Sequence, residues 1–364
     1  MQSNPIELRS FAERVNRWMD PNARDADVVI SARARLARNV QGFAFPSHMD
    51  PDNAVELCEL VKPALAQARL DGDTQWVSMG ESSQVLRLLL LERNLISRDL
   101  VNEQVLGQCL PGRALAFGQS ETLSAMVGEE DHLRLCALTP GFDIRGALAK
   151  VRELDETLEQ SLPFAVSEDM GYLTGCPTNV GTGLRASIML HLPALGLVRN
   201  ELQKVFTAAQ HTGLAVRGMH GEGSRATGDF YQISNQVTLG RSEDELIDDL
   251  EALVPYIVGF ERRVRESLLE EHRGPLHDRV AKSYGILRTT RSLATGEALA
   301  HISSVRLGLH LGLLPELSLS SLDRLWTQLQ KGHLQALSGN GEESLVEASE
   351  RDKLRASLLR SRLG

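Results

Sequence analysis

Five arginines sit where strand ends or glycine turns would present them. They are Arg33 and Arg35 in SARARLARN (31–39), Arg134 in EEDHLRL (129–135), Arg185 in CPTNVGTGLRAS (176–187) and Arg217 in VRGMHGEG (216–223). A guanidinium is planar, permanently charged and able to grip phosphate oxygens two at a time. Several converging on one cleft would hold a triphosphate without a glycine-rich phosphate loop. The chain has no G-x-x-x-x-G-K-[ST], H-R-D or D-F-G signature. Two of the stretches also carry a glutamate, Glu130 and Glu222. Phosphoryl transfer needs charge neutralisation and in-line positioning more than covalent help. If the acceptor is itself a guanidinium, with a pKa of roughly 12.5–13.8, two carboxylates can orient it and take a proton as the N–P bond forms. The competing reading of each residue alone is a surface ion pair.

Neighbouring residues extend the set. Gly218, Gly221, Gly223 and Gly228 in RGMHGEGSRATG make a loop that suits either a flap over substrate or a plain surface turn. Cys176, beside Pro177, could help hold a guanidinium as a thiolate, or be a small buried hydrophobe. His132 follows Asp131, but no second histidine has ligand spacing, so a structural hydrogen bond is expected there rather than a metal.

The elements that must position these residues follow from pattern. Residues 1–25 read as a short amphipathic helix and a turn. DVVISARARLARN then reads as a strand, and Asp50-Pro51 starts a helix running to about Leu70. WVSM (76–79) and ETLSAMVG (121–128) are strand candidates, 141–162 an amphipathic helix, and YLTGCPTNVG (172–181) a strand entering a turn. GLAVRGMHGEGS reads as strand then loop, and DFYQISNQVTLG as a strand. Ser242-x-x-Glu245 is a capping box opening a helix to about Glu271, which Gly274-Pro275 breaks. Helical periods follow at 276–288, 295–313, 318–330 and 343–362. The expected fold class is α+β: an N-terminal helical segment (1–25), a sheet-containing domain (26–260) and an all-helical C-terminal domain (261–364).

Composition narrows the function. A net charge of −9 argues against nucleic acid as partner, and 4% aromatic content against single-strand stacking. No apolar run is long enough to span a membrane. Four cysteines at irregular spacing, with no signal-peptide core, point to the reducing cytoplasm.

SARARLARN, GEEDHLRL, CPTNVGTGLRAS and VRGMHGEGS, in this order, together resemble the ATP:guanidino phosphotransferase (phosphagen kinase) family across roughly 26–260. GYLTGCPTNVGTGLRAS, FYQISNQVTLG, VRLGLHLGLL and RDKLRA (351–356) resemble its bacterial protein-arginine kinase branch. The resemblance implies an antiparallel sheet flanked by helices, with ATP and Mg²⁺ over its face. It implies that Arg33, Arg35, Arg134, Arg185 and Arg217 bind the phosphates. Ser31, Asn94, Ala186, Ser187, Ile188, Met189, Gly218 and Gly221 complete the nucleotide set. Glu130 and Glu222 would bind and activate the guanidinium beside an active-site Cys176. Arg351, Asp352, Arg355 and Ala356 match a motif whose pocket binds phosphoarginine allosterically; alone, its spacing would also fit charges on a solvated helix face. Departures from the pattern are Asn94 for a histidine, Ala32 for a serine, His220 for a tyrosine and Arg225 for a glutamate.

Phosphagen kinases for small guanidines carry an extra domain ahead of the arginine-rich segment. Here only about thirty residues precede Arg33, which predicts a more open site suited to arginine side chains in proteins. A kinase for free arginine and a non-catalytic phosphoarginine-binding regulator are the alternatives. The helical region is expected to dimerise. The resemblance further suggests an activator protein and a Clp-type protease system in stress response and protein quality control.

Overall fold

Alternation along VISARARLAR puts small and aliphatic side chains on one side and Ser31, Arg33 and Arg35 on the other, as a strand with one core face and one working face requires. A computed structural model describes residues 6–101, 111–218, 227–314, 317–339 and 345–364. In it this stretch is β1 (Val29–Arg38), inside an eight-stranded sheet whose pairings are all antiparallel. On one side of β1 lie β5 (Leu133–Pro140), β4 (Leu123–Val127), β3 (Ala114–Phe117) and β2 (Gln75–Ser78). On the other lie β8 (Leu184–His191), β10 (Phe230–Asn235) and β9 (Leu214–Gly218). A two-stranded ladder, β6 (Val166–Ser167) with β7 (Gly171–Tyr172), stands apart.

Ala32, Ala34, Leu36, Leu135, Ala137, Ala186, Ile188 and Ile233 form the core face. They are covered by α2 (Pro51–Ala68), α4 (Ile144–Glu159) and α7 (Glu243–Glu271). The helix starts follow from their caps. Asp50 accepts from Asn53 N with Pro51 in the first turn, and Ser242 and Glu245 complete both halves of a capping box.

The working face is hemmed in by two apolar clusters. α1 (Leu8–Glu13), α3 (Gln84–Glu92) and α11 (Lys331–Ser338) pack onto Leu115, Phe117 and Met126. α9 (Thr295–His310), α10 (Leu319–Gln328) and α12 (Ala348–Leu363) pack onto Ile30, Leu138 and Phe230. No helix among the described residues is long and apolar enough to cross a membrane.

Residues 172–181 run from strand into turn as expected, although the strand is only Gly171–Tyr172 and the chain is irregular before the 3-10 turn at Pro177–Asn179. Two expectations are corrected. The break between α7 and α8 (Arg273–Thr289) falls at His272, and Gly274-Pro275 occupy the first turn of α8, where a missing N–H costs little. The single period at 318–330 is α10, which ends at Gln328, and a second helix, α11, follows it.

One buried network ties α9 to the sheet. Arg306 donates to the carbonyl oxygens of Ala26 (2.9 Å) and Asp27 (3.3 Å), to Asp323 (3.2 Å) and to His191 Nδ1 (2.9 Å). A guanidinium has no acceptor, so His191 Nδ1 must be bare and its hydrogen sits on Nε2. Nε2 therefore donates to Ser303 Oγ (2.8 Å), whose hydroxyl donates to Asp229 (3.1 Å). Beside Asp229, a Cβ at Gly228 would lie 2.8 Å from the Leu299 carbonyl oxygen and from the Trp326 ring, so α9 and α10 grip this turn closely. His191 is fully buried, and burial, then Arg306, holds its pKa well below the ordinary histidine value. The unfolded chain then binds a proton that the folded one refuses. This histidine's contribution is complete above pH 6.5 and declines below it by about 1.4 kcal/mol per pH unit. Nitrogen NMR is expected to show His191 as the neutral Nε2–H tautomer from pH 7.5 down to 5.5; titration within that window would contradict the network.

Candidate active site

Strand register brings the arginines together. Arg35 lies opposite Arg185 on β8 and Cys136 on β5, and Arg33 opposite Ser187 and Leu138. Directly opposed residues share a face, and Arg134 is two residues from Cys136 on that face. Met189 lies opposite both Ser31 and Gln232, and Gln232 opposite Arg217. Ser31, Arg33, Arg35, Arg134, Arg185, Ser187, Met189 and Arg217 thus form one polar surface across five strands. Ala186 and Ile188 point the other way, into the main core, and have no side chain to offer a ligand. Gly218 ends β9 at the edge of this surface. The turn holding Asn94 (φ +62°) is anchored on the adjacent strand β4, where Ser97 N meets Met126 Sδ at 3.3 Å and Met126 lies opposite Arg134. Gly221, Glu222 and the departures His220 and Arg225 lie outside the described residues, as does Gly223.

The electrostatics suit an anion. Arg33 and Arg35 make no hydrogen bond or ion pair among the described residues, and the Nε of each is buried without a partner. Burial lowers both pKa values, Arg35 well below the usual arginine range, with Arg33, Arg134 and Arg185 as neighbouring like charges. Cations gathered this way repel one another until something negative joins them, and a polyphosphate supplies oxygens for several forks at once. Among the described residues no group of three or more His, Cys, Asp or Glu could hold a metal ion.

Acid enters at one edge. The turn between β4 and β5 carries Glu129 and Glu130, one directed inward and one outward. Arg134 bonds buried Glu129 at 2.8 Å and Glu130 at 2.5 Å. Burial pulls the Arg134 pKa down, and Glu129, Glu130 and Asp131 outweigh it, so the net shift is upward. The Glu130 side chain is 43% exposed and reachable by an acceptor. Glu129 was missed in the sequence, although two consecutive carboxylates in a tight turn must point to opposite sides.

Cys176 is brought to the same edge. Asp131 accepts from Gly175 N (2.6 Å) and from Asn39 Nδ2 (2.8 Å), and Thr174 Oγ1 donates to the Cys176 carbonyl (2.7 Å). Cys176 Sγ lies 3.1 Å from Thr178 Oγ1. His132 is held by Val40 N on one nitrogen and Ala44 O on the other, the structural role expected of it. A Cβ at Gly175 would sit 2.6 Å from the Glu130 carbonyl oxygen. Gly175→Ala is therefore expected to push this segment off Glu130 and raise the acceptor KM by about tenfold or more, with ATP affinity unchanged; steady-state kinetics and ATP titration check it.

The RDKLRA motif lies in α12. Arg355 is buried and donates to Leu329 O (2.8 Å), Leu293 O (2.7 Å) and Asp352 Oδ1 (2.6 Å). Ala356 is fully buried. Arg351 and Asp352 are half-buried, and Arg351 donates to Val346 O. Arg355 and Ala356 therefore fasten α12 to the loops around α9 and α10, leaving Arg351 and Asp352 as the accessible half.

Comparison with known proteins converges on one chemistry. Residues 56–264 match the ATP:guanido phosphotransferase C-terminal catalytic domain, and 273–364 the protein-arginine kinase McsB C-terminal domain. A protein-arginine kinase of Halalkalibacterium halodurans is 41% identical over 98% of this chain and 97% of its own. That of Bacillus pumilus is 38% identical over 98% and 96%. Among solved structures, lombricine kinase aligns with TM-score 0.56 at 22% identity over 73% of each chain. The duplicated taurocyamine kinase of Schistosoma mansoni, solved with transition-state analogue components, aligns with TM-score 0.54 at 25% identity. That alignment covers 67% of this chain but only 33% of the duplicated one.

Proposed function

We propose that this chain, which belongs to the ATP:guanido phosphotransferase family as a protein-arginine kinase, performs its transfer on the arginine surface of the sheet, with Arg33, Arg35, Arg134, Arg185 and Arg217 as the phosphate clamp. The observation that carries this assignment is that Arg33 and Arg35 lie side by side on β1, half-buried, with no hydrogen bond or ion pair to any described residue and with each Nε buried. ATP is the donor, and Mg²⁺ enters as the counter-ion of its phosphates. Glu130, with Glu222, holds the guanidinium of an arginine side chain beside Cys176. As the acceptor nitrogen bonds the γ-phosphorus, the bond from phosphorus to the β-γ bridging oxygen breaks, ADP leaves, and Glu130 takes the proton lost from nitrogen.

We divide the chain into segments 1–25, 26–260 and 261–364, the last serving dimerisation and regulation. Phosphoarginine is proposed to stimulate the enzyme through Arg351 and Asp352. Arg351→Ala should abolish that stimulation and keep the basal rate, checked by initial rates with and without added phosphoarginine; equal loss of both would make Arg351 structural. Cytoplasmic action in stress response and protein quality control, with an activator protein and a Clp-type protease system, completes the reading. The free thiols of Cys58, Cys136 and Cys176 suit a reducing compartment.

The test is incubation with ATP, Mg²⁺, an unfolded arginine-containing protein and free arginine, read by mass spectrometry without acid. Phosphoarginine on the protein alone is expected. Phosphorylated free arginine would make the protein a small-guanidine kinase, and no transfer to either would favour a binding-only regulator.

A further inference from the structure

A groove of about 610 Å³ opens beside the Cys176 segment, between the β6–β7 hairpin and the start of α7. Val166, Met170 and Leu239 stand in its walls, each about half exposed, with Tyr172 between them. Among the described residues ten large hydrophobics are exposed, and Val166, Met170, Val237 and Leu239 belong to the segments that frame this groove. Scattered exposed side chains need no explanation, whereas a cluster around a concavity large enough to take several side chains does.

The rim is acidic. Glu159, Asp169 and Glu243 line the groove. Glu159 and Asp169 make no ion pair among the described residues, and Glu243 pairs with Arg152 (2.5 Å). Arg241, the one cation of the lining among the described residues, is turned to Asp249 on the helix that follows it, at 3.0 Å. The Tyr172 pKa is raised by burial and then, against Arg38, by Asp155, Glu159 and Glu243, so the floor lies in a field of carboxylates.

The groove is built onto the acceptor edge. Tyr172 pairs with Gly181 in an antiparallel bridge, and Thr238 Oγ1 lies 3.0 Å from Thr178 O and 2.6 Å from Val180 O. Both walls are thereby fastened to the Pro177–Asn179 turn that follows Cys176. A polypeptide delivering an arginine to Cys176 and Glu130 has this groove within a few residues of its backbone.

We propose that this groove docks the substrate polypeptide, taking a large apolar side chain near the acceptor arginine while basic residues of the same segment lie against its carboxylate rim. The proposal deepens the arginine-kinase reading and rests on it.

The test uses the full chain and a series of peptides, each with one arginine flanked by lysine. One leucine is walked along either side of the arginine, and each peptide has a serine-for-leucine control. Binding is read by fluorescence anisotropy, and transfer by phosphoarginine mass spectrometry without acid. At the best leucine position the wild type is expected to prefer leucine by about tenfold in both Kd and kcat/KM, equivalent to about 1.4 kcal/mol. The double variant Met170→Asp/Leu239→Asp should bring that ratio to about one. Because the readout is a ratio within each variant, a general loss of activity does not imitate it. No leucine preference at any position, or a preference that survives the double variant, overturns the docking groove. Leucine-dependent binding without transfer to any peptide would instead sink the kinase reading and leave the groove standing.

Discussion

Glu130→Ala is expected to slow transfer to arginine by about 100- to 10,000-fold, the usual worth of a positioned general base, while ATP affinity changes by less than about threefold. The two halves follow from one geometry. Arg134 is held by two carboxylates, and buried Glu129 remains when Glu130 is removed. The phosphate clamp therefore keeps its shape. Glu129 cannot replace the lost base, because its side chain is fully buried against Arg134. Glu130 is the carboxylate of this pair with a face open to an acceptor. Single-turnover transfer and equilibrium ATP titration separate the outcomes. If affinity falls in parallel with rate, Glu130 acts by holding Arg134 and not by meeting the acceptor. Glu130→Gln refines the result: it keeps a hydrogen-bonding oxygen for Arg134 but is a very weak proton acceptor, so it should be as slow as the alanine variant.

Much of this site was legible from local pattern, because alternation and capping act over a few residues. The period of two in VISARARLAR put Arg33 and Arg35 on the side opposite Ala32 and Ala34, and β1 keeps that division. The same rule applied to RASIM separates Arg185, Ser187 and Met189 from Ala186 and Ile188, whose side chains face the core. Asp50 and Ser242 cap the helices they were read to start. The segment 172–181 was legible as a strand entering a turn, but not how short the strand would be, because Gly171 (φ +70°), Pro177 and Gly181 (φ +110°) decide its path. Register between β1 and β8 joins residues some 150 positions apart, and nothing local specifies it. The same applies to His191, whose partners Ser303 and Arg306 come from a helix more than a hundred residues later. RDKLRA could be read either as a ligand pocket or as a charge pattern on a solvated face; burial of Arg355 adds a third role, a cross-brace between helices.

Arg306→Met is expected to destabilise the protein by about 3–5 kcal/mol, the cost of breaking a buried ion pair from one side, although methionine fills much of the same volume. Arg306 is 2% exposed, and Asp323, its partner, is 6% exposed. Burial raises the Asp323 pKa, and Arg306 is the cation that opposes this. Without it the carboxylate must ionise unpaired or fold protonated. The carbonyls of Ala26 and Asp27, just ahead of β1, lose a donor together with His191 Nδ1. The same residue braces the entry to the strand carrying Arg33 and Arg35 and the end of the strand carrying Arg185, so ATP affinity should fall even where the variant stays folded. Urea unfolding measures the first effect and ATP titration the second. The double variant Arg306→Met/Asp323→Leu removes the orphaned carboxylate and should recover at least about half of the lost stability, but not the ATP affinity, because the backbone and histidine contacts are still missing. A loss under about 1 kcal/mol for Arg306→Met would place it with surface pairs and deny the network its role. Recovery of ATP affinity in the double variant would show that the strands are held by packing on α9 alone.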